Sequence, residues 1–347
     1  MRVEIGKADE VPGHQYGGPM TVRWGIVGTG KMAAAFAGDL ALVRGAELAA
    51  VGSRRPESAA GFGAEHGAAV RSYRGLIEDP EVDVVYIATP HPQHRAIALA
   101  ALAAGKPVVV EKAFTATLAG AESVAAAARS TGVFCMEAMW TRFQPAVVEA
   151  RRLIDDGAIG EVRAVQADLG AYRRFDAADR LFAPELGGGA TLDLGVYVVS
   201  IAQHFLGTPD SVTAAGSVYP NGADAGCSLL LGYPDGRGAS LYYSLQTESP
   251  GRAVIMGTEG SIELAPRFHH PTELILRRNG SAPETFSRPA LGRGYTHEIL
   301  AVDEYLAHGL TESPIMPLAD TLAVQGVLEQ VLTSLGVTAH EDDSVEV

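Results

Sequence analysis

The sequence predicts an α/β protein: an N-terminal doubly wound, parallel-sheet Rossmann domain, then a C-terminal α+β domain with a largely antiparallel open sheet. Three observations predict it. Over the first 140 residues short apolar runs alternate with alanine-rich helical stretches. A glycine turn joins the first run to the first helical stretch, and beyond residue 156 the texture changes to β-rich segments separated by turn residues.

Val22–Val27 reads as a strand ending in glycines, and Lys31–Val43 as a helix. Glu47–Gly52 is a second strand, with a helix from Pro56, where a fixed φ suits the first turn. Val82–Ala88 and Pro107–Glu111 are near-continuous β-rich runs of the kind covered by helices on both faces. His94–Ala104 and Leu118–Ser130 are helical, and Val133–Glu137 is a further strand. Such strand-helix-strand repeats demand a parallel sheet with right-handed crossovers. After a helix over Gln144–Asp156, strands are expected at Glu161–Leu169, Ser211–Val218, Cys227–Tyr233 and Ala239–Gln246. Helices are expected at Thr191–Phe205, Thr296–His308 and Leu318–Leu335. The expected division is a mobile extension over 1–20, a dinucleotide-binding domain over 21–140 and a substrate and dimerisation domain over 141–340.

Twenty-seven basic residues face 41 acidic ones, and the net charge is −14. Such a surface repels phosphate backbones and anionic membranes, so neither nucleic acid nor membrane is an expected partner. The two cysteines, Cys135 and Cys227, lack the neighbours of a metal site. A buried, reduced Cys135 fits a reducing, cytoplasmic setting. Gly105-Lys106-Pro107 interrupts the longest apolar stretch short of membrane-spanning length.

Gly28-Thr29-Gly30-Lys31-Met32-Ala33 has the form of a dinucleotide turn. The first glycine permits the tight turn, the second lets backbone approach a pyrophosphate, and a small third residue lets helix and strand pack closely. The fingerprint's acidic residue, some twenty positions on, would hold a ribose 2′-hydroxyl. Ser53-Arg54-Arg55 stands there instead. A guanidinium grips a 2′-phosphate, which favours NADP(H) and leaves NAD(H) possible; the alternative is two solvated charges leading into a helix.

Two features bear on chemistry. Glu111-Lys112 closes a buried strand, so Lys112 is either a functional ammonium at the ligand-binding edge or a solubilising charge. Gly187-Gly188-Gly189 leads into a helix carrying Asp193 and Tyr197, four residues apart and therefore on one face. A tyrosine needs a lowered pKa to act as a base near neutrality, and a nearby ammonium lowers it. His91 and His94 have an H-x-x-H spacing without a further ligand nearby, so a loop at the cofactor is preferred to a metal. His269-His270 lies in an apparent turn and is expected in solvent; Tyr172-Arg173-Arg174-Phe175 either lines a pocket or caps a strand.

Together these segments resemble the glucose-fructose oxidoreductase and inositol dehydrogenase family. The similar pieces are the Gly28 turn, Ala88-Thr89-Pro90-His91-Pro92-Gln93-His94, Glu111-Lys112, Glu137-Ala138-Met139-Trp140-Thr141-Arg142-Phe143 and the Gly187–Tyr197 segment. With Arg180-Leu181-Phe182, they are most similar to the dihydrodiol dehydrogenase and NADP-dependent D-xylose dehydrogenase branch. The resemblance implies that Lys112, Asp193 and Tyr197 are catalytic. It places Thr89, Pro90, His94, Glu111, Trp140 and Arg142 along the cofactor crevice beside Gly28, Thr29, Gly30, Lys31, Met32, Ser53, Arg54 and Arg55. It also implies a homodimer or higher homo-oligomer and a small polyhydroxylated substrate. Ala113 replaces the proline that usually follows the lysine. The expected reaction moves a hydride between the nicotinamide and a CH–OH or C=O carbon of a sugar, polyol or trans-dihydrodiol. A non-catalytic, nucleotide-binding sensor on the same fold is the alternative.

Overall fold

The structure, a computed structural model, describes residues 21–347; the expected mobile extension over 1–20 lies outside the described residues. Strands β1 (Val22–Val27), β2 (Ala46–Gly52), β3 (Ala69–Arg71), β4 (Val84–Ile87), β5 (Val108–Glu111) and β6 (Cys135–Ala138) form one parallel sheet in the order β3-β2-β1-β4-β5-β6. Between them run α1 (Lys31–Leu40), α2 (Pro56–His66), α3 (Tyr73–Ile77), α4 (His91–Ala103) and α5 (Leu118–Thr131). The order reverses between β1 and β4, and a crevice opens outside the carboxyl ends of strands at such a switch point. All four residues of β4 and of β5 are buried, as strands covered on both faces require.

After α6 (Pro145–Asp155), a second sheet follows. It comprises β7 (Val162–Gly170), β8 (Ser211–Val218), β9 (Asp224–Gly232), β10 (Gly238–Ser244), β11 (Ala253–Gly257), β12 (Gly260–Leu264), β13 (Glu273–Arg278) and β14 (Glu284–Ser287). Its order is β14-β13-β12-β11-β7-β10-β9-β8, antiparallel except where β7 runs parallel to β10. The mixed α/β architecture is the one expected, although β11 to β14 were not foreseen. Helix α7 (Val196–Leu206) packs on β7 and β10, α9 (Leu318–Ser334) on α5, α7 and β8, and α8 (Tyr295–Ala307) on α1. The expected helix from Thr191 begins instead with a π-helical turn over Thr191–Gly195. At Gly195 an added Cβ would lie 2.9 Å from the Tyr243 ring, so only glycine lets this turn sit on β10.

One core cluster spans both sheets, and a second fills the other face of the parallel sheet. A column of rings crosses the first. Tyr86 stacks on Phe36 at 3.7 Å, Phe36 meets Tyr295 edge-on at 5.8 Å, and Tyr295 stacks on Trp140 at 4.7 Å. The column runs from β4 through α1 to Tyr295 and on to Trp140, just after β6.

Burial also leaves a marked carboxyl. Asp303 accepts from Trp24 Nε1 at 3.1 Å and is otherwise enclosed, which pushes its pKa up to about 8. The folded state therefore holds a proton that the unfolded chain releases near pH 4, and stability falls as pH rises from there to about 8. Asp303→Asn should stabilise the protein by on the order of 2–4 kcal/mol at pH 8 and by little at pH 4.5. Urea denaturation at both pH values checks this; equal shifts at both would show that Asp303 is not the group responsible.

Candidate active site

The glycine turn lies at the switch point. Gly28 takes φ 111° and donates its N–H to Gly52 O at 2.8 Å; a Cβ there would stand 2.5 Å from Ala88 O. Gly30, with no atom within 4 Å of where a Cβ would stand, begins α1, and no side chain caps the helix. The first amides of α1 are therefore free for an anion. Lys31 and Met32 are exposed at that end, while Ala33 is buried in the third position of the motif. Thr29 Oγ1 reaches Ser53 Oγ at 3.3 Å, which ties the turn to the end of β2 where Arg54 and Arg55 are exposed. Across the crevice, Thr89 Oγ1 is buried without a partner. Free helix amides, an open approach at Gly30 and an orphaned hydroxyl fit a dinucleotide.

Lys112 emerges from the end of β5. Its Nζ donates to Asp193 O at 2.9 Å, reaches Asp193 Oδ1 at 3.3 Å and lies 4.7 Å from the centre of the Tyr197 ring. Burial opposes the ammonium, but Tyr197, Asp193 and Glu111 outweigh it and hold its pKa above the ordinary lysine value. Burial likewise opposes the Asp193 carboxylate, yet Lys112 and Arg180 keep its pKa below normal. Glu111 accepts from the Tyr86 hydroxyl and from its neighbour Lys112 N. It supports the lysine from behind rather than facing the crevice. The Lys112–Ala113 peptide is cis, at the place where the resemblance led one to expect proline.

Tyr197 is held from the other side. Trp140 Nε1 donates to its oxygen at 3.0 Å. An indole N–H only donates, so the tyrosine's own O–H remains available to a further acceptor. Burial raises the Tyr197 pKa and Lys112 offsets this only in part, so the phenol stays protonated at neutral pH. That qualifies the expectation that the lysine makes Tyr197 acidic: the ammonium lowers a pKa that burial has first lifted.

The histidines serve the backbone. His91 Nδ1 meets Gly187 O at 3.0 Å and Nε2 meets Lys112 O at 3.3 Å. His94 Nε2 meets Thr89 O at 2.8 Å, and Nδ1 meets Ala113 O at 3.1 Å. Burial pulls both pKa values down, to about 3 and about 4, and a neutral imidazole donates from one nitrogen only, so each ring makes one of its two carbonyl contacts as a hydrogen bond. They clamp the Thr89–Pro90 loop, the lysine and the triple glycine together. Among the described residues no group of three potential ligands could hold a metal.

Beside the place of Glu111, which is buried behind Lys112 and not along the crevice, two further expectations are corrected. Arg142 does not face the crevice: its guanidinium is buried against Asp320, Gln203, Ser200 and the Ile315 carbonyl, where it ties α7 to α9. His269 is not in solvent. It is buried in the turn between β12 and β13, its ring 5.1 Å from Tyr197 and 6.2 Å from Trp140, with Nδ1 unpartnered. Sequence reasoning also missed Asp224, whose Oδ2 accepts from Thr191 N and Thr191 Oγ1, both at 2.6 Å, and so anchors the turn carrying Asp193. No local pattern marks either residue, because each acts through a contact made by the tertiary fold.

Comparison with known proteins agrees with this architecture. Residues 22–139 match the oxidoreductase family with an NAD-binding Rossmann fold, and residues 147–263 match the GFO/IDH/MocA C-terminal domain. The chain is 37% identical over 339 residues to the Mus musculus trans-1,2-dihydrobenzene-1,2-diol dehydrogenase, covering 93% of this chain and 99% of that one. Its Xenopus tropicalis counterpart is 36% identical over 331 residues, covering 92% and 99%. Among solved structures, a 3-ketoreductase from Actinomadura kijaniata in complex with NADP superposes with TM-score 0.77 at 26% identity over 92% of this chain and 98% of that one. An aldose-aldose oxidoreductase from Caulobacter crescentus complexed with glycerol superposes with TM-score 0.82 at 26% identity over 91% and 98%. Both halves of the chain and its full-length relatives thus place it in the GFO/IDH/MocA family of oxidoreductases.

Proposed function

We propose that this oxidoreductase moves a hydride between NADP(H) and a CH–OH or C=O carbon of a sugar, polyol or trans-dihydrodiol. The observation that carries the reading is the Lys112–Asp193–Tyr197 cluster at the carboxyl edge of the parallel sheet, beside a glycine turn with free helix amides. A bound nicotinamide would supply or accept the hydride. Tyr197 donates its proton to the oxygen of a carbonyl being reduced, or accepts the proton of a hydroxyl being oxidised. Trp140 fixes the tyrosine oxygen, and Lys112 stabilises the phenolate that forms during reduction. Asp193 holds Lys112 and keeps its outer edge open to substrate hydroxyls. Trp140 and His269 pack beside Tyr197, their own rings 6.2 Å apart.

Arg54 at the end of β2 supports NADP(H) over NAD(H), with Arg55 and Ser53 beside it. A homodimer formed through the outer face of the second sheet, where Leu230 is 60% exposed, belongs to the same reading. So does a cytoplasmic setting, which two free, buried cysteines suit. Among the described residues no helix is long and apolar enough to cross a membrane.

Fluorescence titration with NADPH and NADH, followed by absorbance at 340 nm against a panel of sugars, polyols and trans-dihydrodiols, tests the proposal. Tighter NADPH binding with turnover on one class is expected. Binding without turnover on any member would favour a nucleotide sensor, and no binding would defeat both readings.

A further inference from the structure

Residues 336–347 follow α9 and return across the parallel-sheet half of the molecule. Val337 and Ala339 pack on the first core cluster, and Val345 and Val347 on the second. Polar contacts pin the segment along its length. Glu341 Oε1 accepts from Thr117 N and Thr117 Oγ1, both at 2.8 Å, at the start of α5. Asp342 N donates to Pro92 O at 2.7 Å, Asp343 pairs with Arg95, and Val347 O accepts from Arg74 at 2.8 Å. Asp342 Oδ1 also accepts from Ser344 N at 3.1 Å and Ser344 Oγ at 2.6 Å, which fixes the carboxylate's direction.

That direction is toward the end of β2. Gln93, buried in the first turn of α4, presents one end of its amide 2.9 and 3.0 Å from the terminal nitrogens of Arg54. The same end lies 3.3 Å from Asp342 Oδ2, so the guanidinium and the carboxylate stand within about 6 Å of each other. The acidic group missing after β2 in the sequence is thus returned to its neighbourhood by a segment 249 residues beyond Gln93.

We infer that Asp342 is a cofactor-selectivity residue, a fixed negative charge that weakens binding of the NADP(H) 2′-phosphate at Arg54 and leaves NAD(H) nearly unaffected. The inference rests on the assignment of Arg54 to the 2′-phosphate. A phosphate seated on Arg54 carries up to two negative charges, and the Asp342 carboxylate, within about 6 Å of that guanidinium, repels each. A 2′-hydroxyl brings no charge and meets no such opposition. The strap's anchoring matters, because a mobile carboxylate would swing away while a pinned one cannot.

The test is fluorescence titration of the full chain, Asp342→Asn and Asp343→Asn with NADPH and with NADH. Asp342→Asn should tighten NADPH about three- to tenfold and move NADH by less than about twofold. The gain should shrink in roughly 0.5 M salt, where the Debye length is only a few ångströms. Asp343→Asn, which loses a charge from the same strap but one paired with Arg95, should move neither. An unchanged NADPH-to-NADH ratio in Asp342→Asn overturns the inference. So does weaker NADPH binding, which would make Asp342 a support for Gln93 and Arg54. Arg54→Ala separates this from its premise: if NADPH binding by that variant is unchanged, the 2′-phosphate assignment has failed. The Asp342→Asn ratio is read independently of that result.

Discussion

Tyr197→Phe should lower turnover by about 10²- to 10⁴-fold in both directions while leaving the dissociation constants of NADPH and NADH within about twofold. The substitution removes one oxygen and keeps the ring that Lys112 and His269 face. Trp140 Nε1 loses its acceptor, and the buried donor left unpaired costs about 1–3 kcal/mol of stability, a loss that falls on both cofactor forms alike. The loss of turnover therefore falls on proton transfer. It also carries a pH signature. Burial holds the Tyr197 hydroxyl above its ordinary pKa of 10, so oxidation, which needs the phenolate, should speed up with rising pH across 7 to 9.5. Reduction, which needs the phenol, should stay level over that range. Both behaviours should vanish in the residual activity of the variant. Turnover within about threefold of the parent would move the acid/base role to another group, with Asp193 the next in reach.

The parts of this arrangement that could be read from the sequence are those encoded locally. The buried runs of β4 and β5, the glycine turn and the triple glycine before Thr191 announce themselves by periodicity and by residue type. Lys112 could be placed at the ligand edge because a strand's end has a defined position in a doubly wound sheet. The spacing of Asp193 and Tyr197 suggested a shared helical face. In the structure Asp193 belongs to a π-helical turn, and Lys112 is what joins it to Tyr197.

Residues that depend on distant partners stayed hidden. His269 reads as a turn residue because its neighbours Arg267 and Pro271 are turn-like; its burial comes from docking against Trp140. Asp224 begins an ordinary strand and gains meaning only from Thr191, 33 residues away. Arg142 shows the opposite failure. The motif places it beside Trp140, but a 3₁₀ turn over Trp140–Phe143 sends the two side chains in different directions. Strands β11 to β14 went unseen because none is longer than six residues, too short a run for period-two alternation to stand out, and β14 is polar and mostly exposed.

Lys112→Met tests the electrostatic half of the site, with an expected loss of about 10²- to 10⁴-fold in turnover. Methionine keeps most of the aliphatic stem and removes the ammonium. Three consequences follow from the contacts. Asp193 loses the cation that keeps its carboxyl below the normal pKa, so its affinity for a proton rises. The Asp193 carbonyl loses its 2.9 Å donor. Tyr197 loses the one charge that offsets its burial, and its pKa moves further above 10. The oxidation profile should therefore shift to higher pH by about one unit or more, a displacement that a purely structural loss would not produce. Combining Lys112→Met with Tyr197→Phe should cost little beyond the worse single change, because the ammonium acts through the tyrosine. If instead the two losses multiply, Lys112 contributes separately, through the bound nucleotide or the substrate, and the proposed coupling of ammonium to phenol is wrong.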